Sequence, residues 1–246
     1  MTKVACVCLG AYNVSNWTKE QNFIRQSLYS VALEQAMTLA ELQDTHAKNL
    51  DLHFFIVENT VSNQNEEVIP ELREQLSNER IKDVQYINNN ALGAKNKGAG
   101  EYTMCRSVLE KHKAELLQYD WIVYYTLRQI IVAPLVLQSI YEIQEGVADK
   151  RSSIIVSGPS SLYRDKEVFP PAKNYCDMIF AMKPETFVRY IDSMSPEELV
   201  AKKMSSENNL YDFVEKEVTD HKAPPCIRKR LGVLRYDYAI NKTEIS

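Results

Sequence analysis

The chain has 246 residues, with 29 Lys and Arg against 33 Asp and Glu, a net charge of -4; this balance gives no support to nucleic-acid binding, which rests on a basic surface. Hydrophobic residues at 45% and charged residues at 25% are ordinary for a globular chain, and no Gly/Ser linker, low-complexity tract or repeat divides it. Five cysteines without C-x-x-C spacing, and the start MTKVACVCLG without a long apolar run, argue against a disulfide framework, a structural metal, a signal peptide and a transmembrane segment. A reducing, cytoplasmic setting is expected.

Val4–Leu9 is an apolar hexamer leading into Gly10-Ala11-Tyr12-Asn13, the pattern of a buried first strand that ends in a loop. Helical spacing follows from roughly Lys19 to Ala47. Leu52–Val57 reads as a second buried strand ending at Glu58-Asn59-Thr60, and a helix is expected around Glu66–Leu76. Val84–Ile87 reads as a third strand. From Gly93 to about Leu117, Ala94, Gly98, Cys105, Val108, Leu109 and Leu116 form a helical face. Asp120–Tyr125 reads as a fourth strand, Pro134–Ile143 as a helix and Ile154–Val156 as a fifth strand. Ser160–Pro171 is a polar loop. Tyr175–Met182 is expected as a strand with Asp177 inside it, and Lys183–Met194 as a helix. Ser195-Pro196-Glu197-Glu198 is an N-cap signature, and Glu207–Val218 is a last helix. Ile227–Arg235 makes a basic tail. Strands alternating with helices predict one α/β domain over residues 1–246, with a mainly parallel, Rossmann-like sheet flanked by helices.

Ligands of such sheets bind beyond the C-terminal strand ends. Gly10–Asn13, Glu58–Thr60, Asn88–Lys97 and Tyr125–Arg128 all lie there, so four polar segments are expected to converge on one crevice. The third of them suits an anion: a strand runs through three asparagines into glycines, Lys95, Lys97 and a helix N-terminus, whose amides lack intrahelical partners. Two common nucleotide motifs fail. Gly93 and Gly98 have P-loop spacing, but Ala99-Gly100 stand where Lys and Ser/Thr are required. The dinucleotide fingerprint fails at Thr103, which occupies its third glycine position.

The order of these segments, with N-N-x-x-G-x-x-x-x-G-A-G followed by D-W-I-V-Y-Y, resembles the GT-A glycosyltransferases, and among them family 2-type sugar transferases of polysaccharide synthesis. The resemblance covers Val4–Val136 well and extends weakly through Asp177 to about Val214. It implies a nucleotide-binding half over about 1–136, an acceptor-side half over about 137–220 and a basic tail over about 221–246. It also implies transfer of a sugar, hexosyl or pentosyl, from a UDP- or other nucleoside-diphosphate donor to a glycan hydroxyl. By position, the donor would be held by Ala11, Tyr12 and Asn13, by Glu58, and by Asn90, Gly93, Lys95 and Asn96.

The departure from that family is as informative. Its Asp-x-Asp metal site falls on Tyr125-Thr126-Leu127-Arg128, with no Asp or Glu between Trp121 and Tyr141, so the oxygen ligands a divalent cation needs are missing. Either the protein is an inactive nucleotide-binding or scaffold module, or another cation neutralises the diphosphate. Arg128, beside Thr126, offers a forked guanidinium for phosphate, and Arg228, Lys229 and Arg230 of the tail are further candidates. No divalent metal is therefore expected. An inverting transferase needs a carboxylate base; the resemblance puts Glu207 first, in Ser206-Glu207-Asn208, and Asp177 second.

Overall fold

A computed structural model describes residues 1–14, 17–45, 50–60, 78–87, 90–158, 175–193, 195–221, 224–228, 231–237 and 242–245. The expected helix at Glu66–Leu76 and the loop at Ser160–Pro171 lie outside the described residues. So do Lys229 and Arg230.

The strands are β1 (Thr2–Gly10), β2 (Leu50–Glu58), β3 (Ile81–Tyr86), β4 (Trp121–Thr126), β5 (Ile130–Ile131), β6 (Ile154–Ser157), β7 (Ile179–Met182), β8 (Cys226–Arg228), β9 (Val233–Asp237) and β10 (Lys242–Ile245). The helices, numbered in chain order, are α1 (Lys19–Thr45), α2 (Asn90–Lys95), α3 (Lys97–Leu116), α4 (Leu135–Gln144), α5 (Pro184–Asp192), α6 (Pro196–Lys202) and α7 (Ser206–His221). Seven strands form one sheet in the order β3-β2-β1-β4-β7-β6-β8, and β10-β9-β5 form a smaller one. β3, β2, β1 and β4 run parallel, as the alternation of strands and helices predicts.

Period-two alternation along β1 separates the two layers. Val4, Cys6 and Cys8 pack with Tyr29, Leu33 and Met37 of α1 and Val136, Leu137 and Ile140 of α4. Ala5, Val7 and Leu9 face the other way, onto Tyr102, Cys105 and Val108 of α3 and the residues Phe187 and Phe213 of α5 and α7. Both faces being covered, the strand reads as a continuous apolar run. All five cysteines are free, four of them as buried core residues.

The sequence reading needs three corrections. β7 runs antiparallel to both β4 and β6, and it starts only at Ile179, so Asp177 precedes the strand rather than lying inside it. Because β7 is reversed, its beginning sits against the end of β4, where Tyr125 pairs with Ile179. The Gly93–Leu117 segment is two helices, separated at Asn96. The basic tail contributes β8 to the main sheet, parallel to β6, and β9 and β10 to the smaller one. No helix among the described residues is long and apolar enough to cross a membrane.

Candidate active site

The strand order reverses between β1, whose neighbours β2 and β3 lie on one side, and β4 on the other. Loops diverge at such a point and leave a crevice. Here the crevice is a cavity of about 420 Å³ lined by Leu9, Gly10, Ala11, Val14, Trp17, Arg25, Asn59, Thr60, Gly93, Ala94, Lys97, Glu101, Met104, Thr126 and Arg128. Its size is within the range of small-molecule sites. All four segments expected at the strand ends contribute to it.

The first wall is the loop after β1. Arg25 of α1 is buried and donates through Nε to the Ala11 carbonyl at 2.7 Å, while its guanidinium lies 5.6 Å from the Trp17 ring centre. Asn22 accepts from Val14 N–H at 2.8 Å and donates to the Val14 carbonyl at 3.1 Å. α1 therefore fixes the loop that its own N-terminus follows. A Thr18/Gln21 reciprocal cap, 3.0 and 3.2 Å, sets where the helix begins.

Glu58 joins this loop to the next. Its Oε1 accepts from Tyr12 N–H at 2.9 Å and Thr60 N–H at 2.9 Å, and also from the Thr60 hydroxyl. The Thr60 oxygen in turn accepts from Asn13 N–H at 2.8 Å. The carboxyl is wholly buried, at 0% exposure, behind the cavity rather than in its lining. Gly10 makes the room: a Cβ there would meet Tyr29 Cε2 at 2.4 Å and Glu58 Oε2 at 2.6 Å. Burial raises the Glu58 pKa, against the hydrogen bonds from Thr60 and Tyr12 and the nearby Arg25 charge.

The opposite wall is the α2–α3 junction and the turn after β4. Arg128 N–H donates to the Thr126 carbonyl at 2.7 Å, and Leu127 N–H to the Leu9 carbonyl at 2.8 Å. This tight turn presents Arg128 to the cavity. At the base lies a charge cluster: Lys97 Nζ is 3.2 Å from Asp177 Oδ2 and 3.3 Å from Glu101 Oε1, and the Ser206 hydroxyl donates to the same Asp177 oxygen. Burial opposes ionisation of Asp177, but Lys97, the Ser206 hydroxyl and Arg128 outweigh it and hold its pKa below the usual value. Burial, with the Asp177 and Glu207 charges, holds Glu101 above its usual value despite Lys97 and Arg128. Glu207, the second residue of α7, is half-buried, and its charge reaches both Lys97 and Glu101.

Of the residues expected from the sequence, Ala11, Gly93, Thr126 and Arg128 line the cavity. Tyr12, Asn13 and Glu58 are outside that lining: Glu58 is buried, Tyr12 half-buried and Asn13 exposed. Asn90 starts α2, and its side chain lies outside the described residues. Lys95 is exposed at the end of α2 and outside the lining; Lys97 takes the place expected of it. Asn96 is committed elsewhere: its Oδ1 caps α3 by accepting from Ala99 N–H at 3.0 Å, and its Nδ2 donates to Leu199 and Met204 carbonyls at 3.1 Å each. Asp177 is 2% exposed and tied to Lys97 and Ser206. Arg228 is outside the lining, paired with Glu142 and donating to Ser139 Oγ at 2.9 Å.

Sequence reasoning missed Trp17, Arg25 and Glu101; Asn59, Thr60 and Lys97 entered it only as members of the polar segments, without a role of their own. The Lys97–Glu101 pair at i,i+4 was readable once Asn96 is taken as a helix cap. At the strand end where the GT-A pattern puts its metal, Thr126 gives its hydroxyl to the Met178 carbonyl at 3.3 Å and Leu127 is fully buried. These residues do not suit a hard divalent cation.

No family model matches the chain, nor does any curated protein. Among solved structures it is similar to mouse xyloside xylosyltransferase 1 in its apo form, at 12% identity and TM-score 0.43, over 90% of this chain and 83% of that one. It is similar to a protein of Desulfovibrio desulfuricans G20, provisionally named a nucleotide-diphospho-sugar transferase, at 10% identity and TM-score 0.46, over 93% and 79%. A third is the galactosyltransferase LgtC in complex with donor and acceptor sugar analogues, at 11% identity and TM-score 0.43, over 84% and 68%. These are distant likenesses.

Proposed function

We propose that this chain is a glycosyltransferase that takes a sugar from a nucleoside-diphosphate donor, UDP-linked, and passes it to a glycan hydroxyl with inversion and without a divalent metal. One observation carries the reading: a 420 Å³ cavity at the sheet's switch point whose wall includes Arg25 and Arg128. The Trp17–Arg25 end offers a flat face for a base, and Arg128 a fork for a diphosphate. In the transfer, the acceptor oxygen bonds to the anomeric carbon as the carbon–oxygen bond to the diphosphate breaks. The departing charge falls to Arg128, a cation in the cavity wall. The acceptor proton goes to a carboxylate, and Glu207, at the head of α7, is the candidate.

Calorimetric titration with UDP and a set of UDP-sugars, with donor hydrolysis followed in excess EDTA, tests this. Arg128→Ala is expected to weaken UDP binding about 10- to 100-fold, the range of a lost hydrogen-bonded charge contact. Glu207→Gln is expected to lower turnover while donor binding holds. Absence of binding by any nucleotide removes the reading, and hydrolysis abolished by EDTA and restored by a divalent ion removes its metal-free part. The tying of Asp177 to Lys97 and Ser206 favours a second reading, a nucleotide-binding module without turnover. Binding without hydrolysis in the same assays selects it.

A further inference from the structure

Lys97 stands at the first position of α3, with no acidic residue in that helix's first turn. A cation there opposes the helix dipole and gains nothing from the local backbone. It is nonetheless held on two sides, by Asp177 Oδ2 at 3.2 Å and Glu101 Oε1 at 3.3 Å. Both acids are almost fully buried, with side-chain exposures of 3% and 9%, whereas Lys97 keeps 42% and lines the cavity. Two buried carboxylates thus hold the ammonium of a partly exposed lysine at the wall that also carries Arg128. Asp177 is held in turn: the Ser206 hydroxyl donates to the oxygen that faces Lys97. Gly98 permits this, since a Cβ there would come within 3.2 Å of Ser206 N.

We infer that Lys97 is the second cation of the diphosphate site, acting with Arg128, and that Asp177 and Glu101 are positioning residues that hold its ammonium toward the bound phosphates. The inference rests on the nucleotide-sugar reading and deepens it. It also gives Asp177 a role other than proton acceptor: with 2% exposure it touches no substrate and acts through Lys97. The Asp177–Ser206 bond links the phosphate grip to the first turn of α7, the turn that carries Glu207. A divalent ion would be replaced by two monovalent side chains, one carried on the tight turn after β4 and one held by paired acids.

The test is calorimetric titration of the full chain with UDP and with uridine, in wild type, Lys97→Gln, Asp177→Asn and the double variant, with thermal unfolding recorded for each. Lys97→Gln is expected to weaken UDP binding about 10- to 100-fold and to leave uridine binding within about twofold. Lys97→Arg is expected to recover part of the loss. Asp177→Asn, which keeps the side-chain shape, is expected to weaken UDP in the same direction, and the double variant to be no weaker than Lys97→Gln alone, because both changes act on one contact. Equal losses for UDP and uridine, or losses that add in the double variant, overturn the inference. So does a Lys97→Gln protein that binds UDP like wild type; when Arg128→Ala still loses UDP, the nucleotide-sugar reading survives it. If wild type binds no nucleotide, both fall together.

Discussion

Glu58 shows how one side chain can serve a site from behind it. Its Oε1 collects Tyr12 N–H, Thr60 N–H and the Thr60 hydroxyl, so a single carboxyl group sets the spacing of two loops that form the cavity wall. Removing it strands donors: Glu58→Ala is expected to cost roughly 1–3 kcal/mol, the penalty for buried groups left without partners. Glu58→Gln retains an acceptor oxygen and sheds the buried charge. Because burial raises the folded-state pKa, the native chain holds this proton more tightly than the unfolded one. Its contribution to stability is complete below the ordinary carboxylate value and is lost as pH rises through the folded value. The stability of Glu58→Gln relative to wild type should therefore increase from pH 4 toward pH 8, read by denaturant titration at each pH. An acid after the second strand was legible in the sequence; its orientation was not. That depends on Gly10 leaving space beside Tyr29, a contact between residues far apart in the chain.

At the scale of elements, the junction between α2 and α3 decides which lysine faces the cavity. Asn96 ends one helix and caps the next, and its amide also fastens the C-terminal side of α6 through Leu199 and Met204. Asn96→Ala loses a cap, usually about 1 kcal/mol, together with two donor bonds to carbonyls. A total loss of roughly 2–3 kcal/mol is expected, with UDP binding weakened as Lys97 loses its fixed start. Asn96→Asp should keep the cap and recover part of the stability, as thermal and denaturant unfolding would register. The strands and most helices were readable because apolar runs and helical spacing record burial directly. Ser195 is the N-cap its sequence signature predicts, and with Glu198 it forms a capping box. The helix break was hidden because Ala94, Gly98 and Cys105 keep a helical spacing across it. The direction of β7 was hidden for a different reason: an apolar run looks the same in either direction, and only the connection determines which end of β4 it meets.

At the scale of the molecule, the chain's last segments complete the sheet. β8 extends the main sheet beside β6, and Arg228 pins it to α4 through Glu142 and Ser139. Arg228→Ala is expected to cost about 1 kcal/mol for a partly exposed ion pair, a shift of about 2–4 °C in Tm for a chain of this size, while UDP affinity stays within about twofold. A large loss of affinity instead would return the tail to the phosphate site. β1 is made before both of its neighbours and is buried from Val4 to Gly10, yet Val4 finds its partners only when Leu52 and then Trp121 have been made. Pairings this far apart along the chain form slowly. On the ribosome, Val4–Leu9 is an apolar strand with both edges open until β2 and β4 have emerged, the kind of nascent segment that chaperones shield from aggregation.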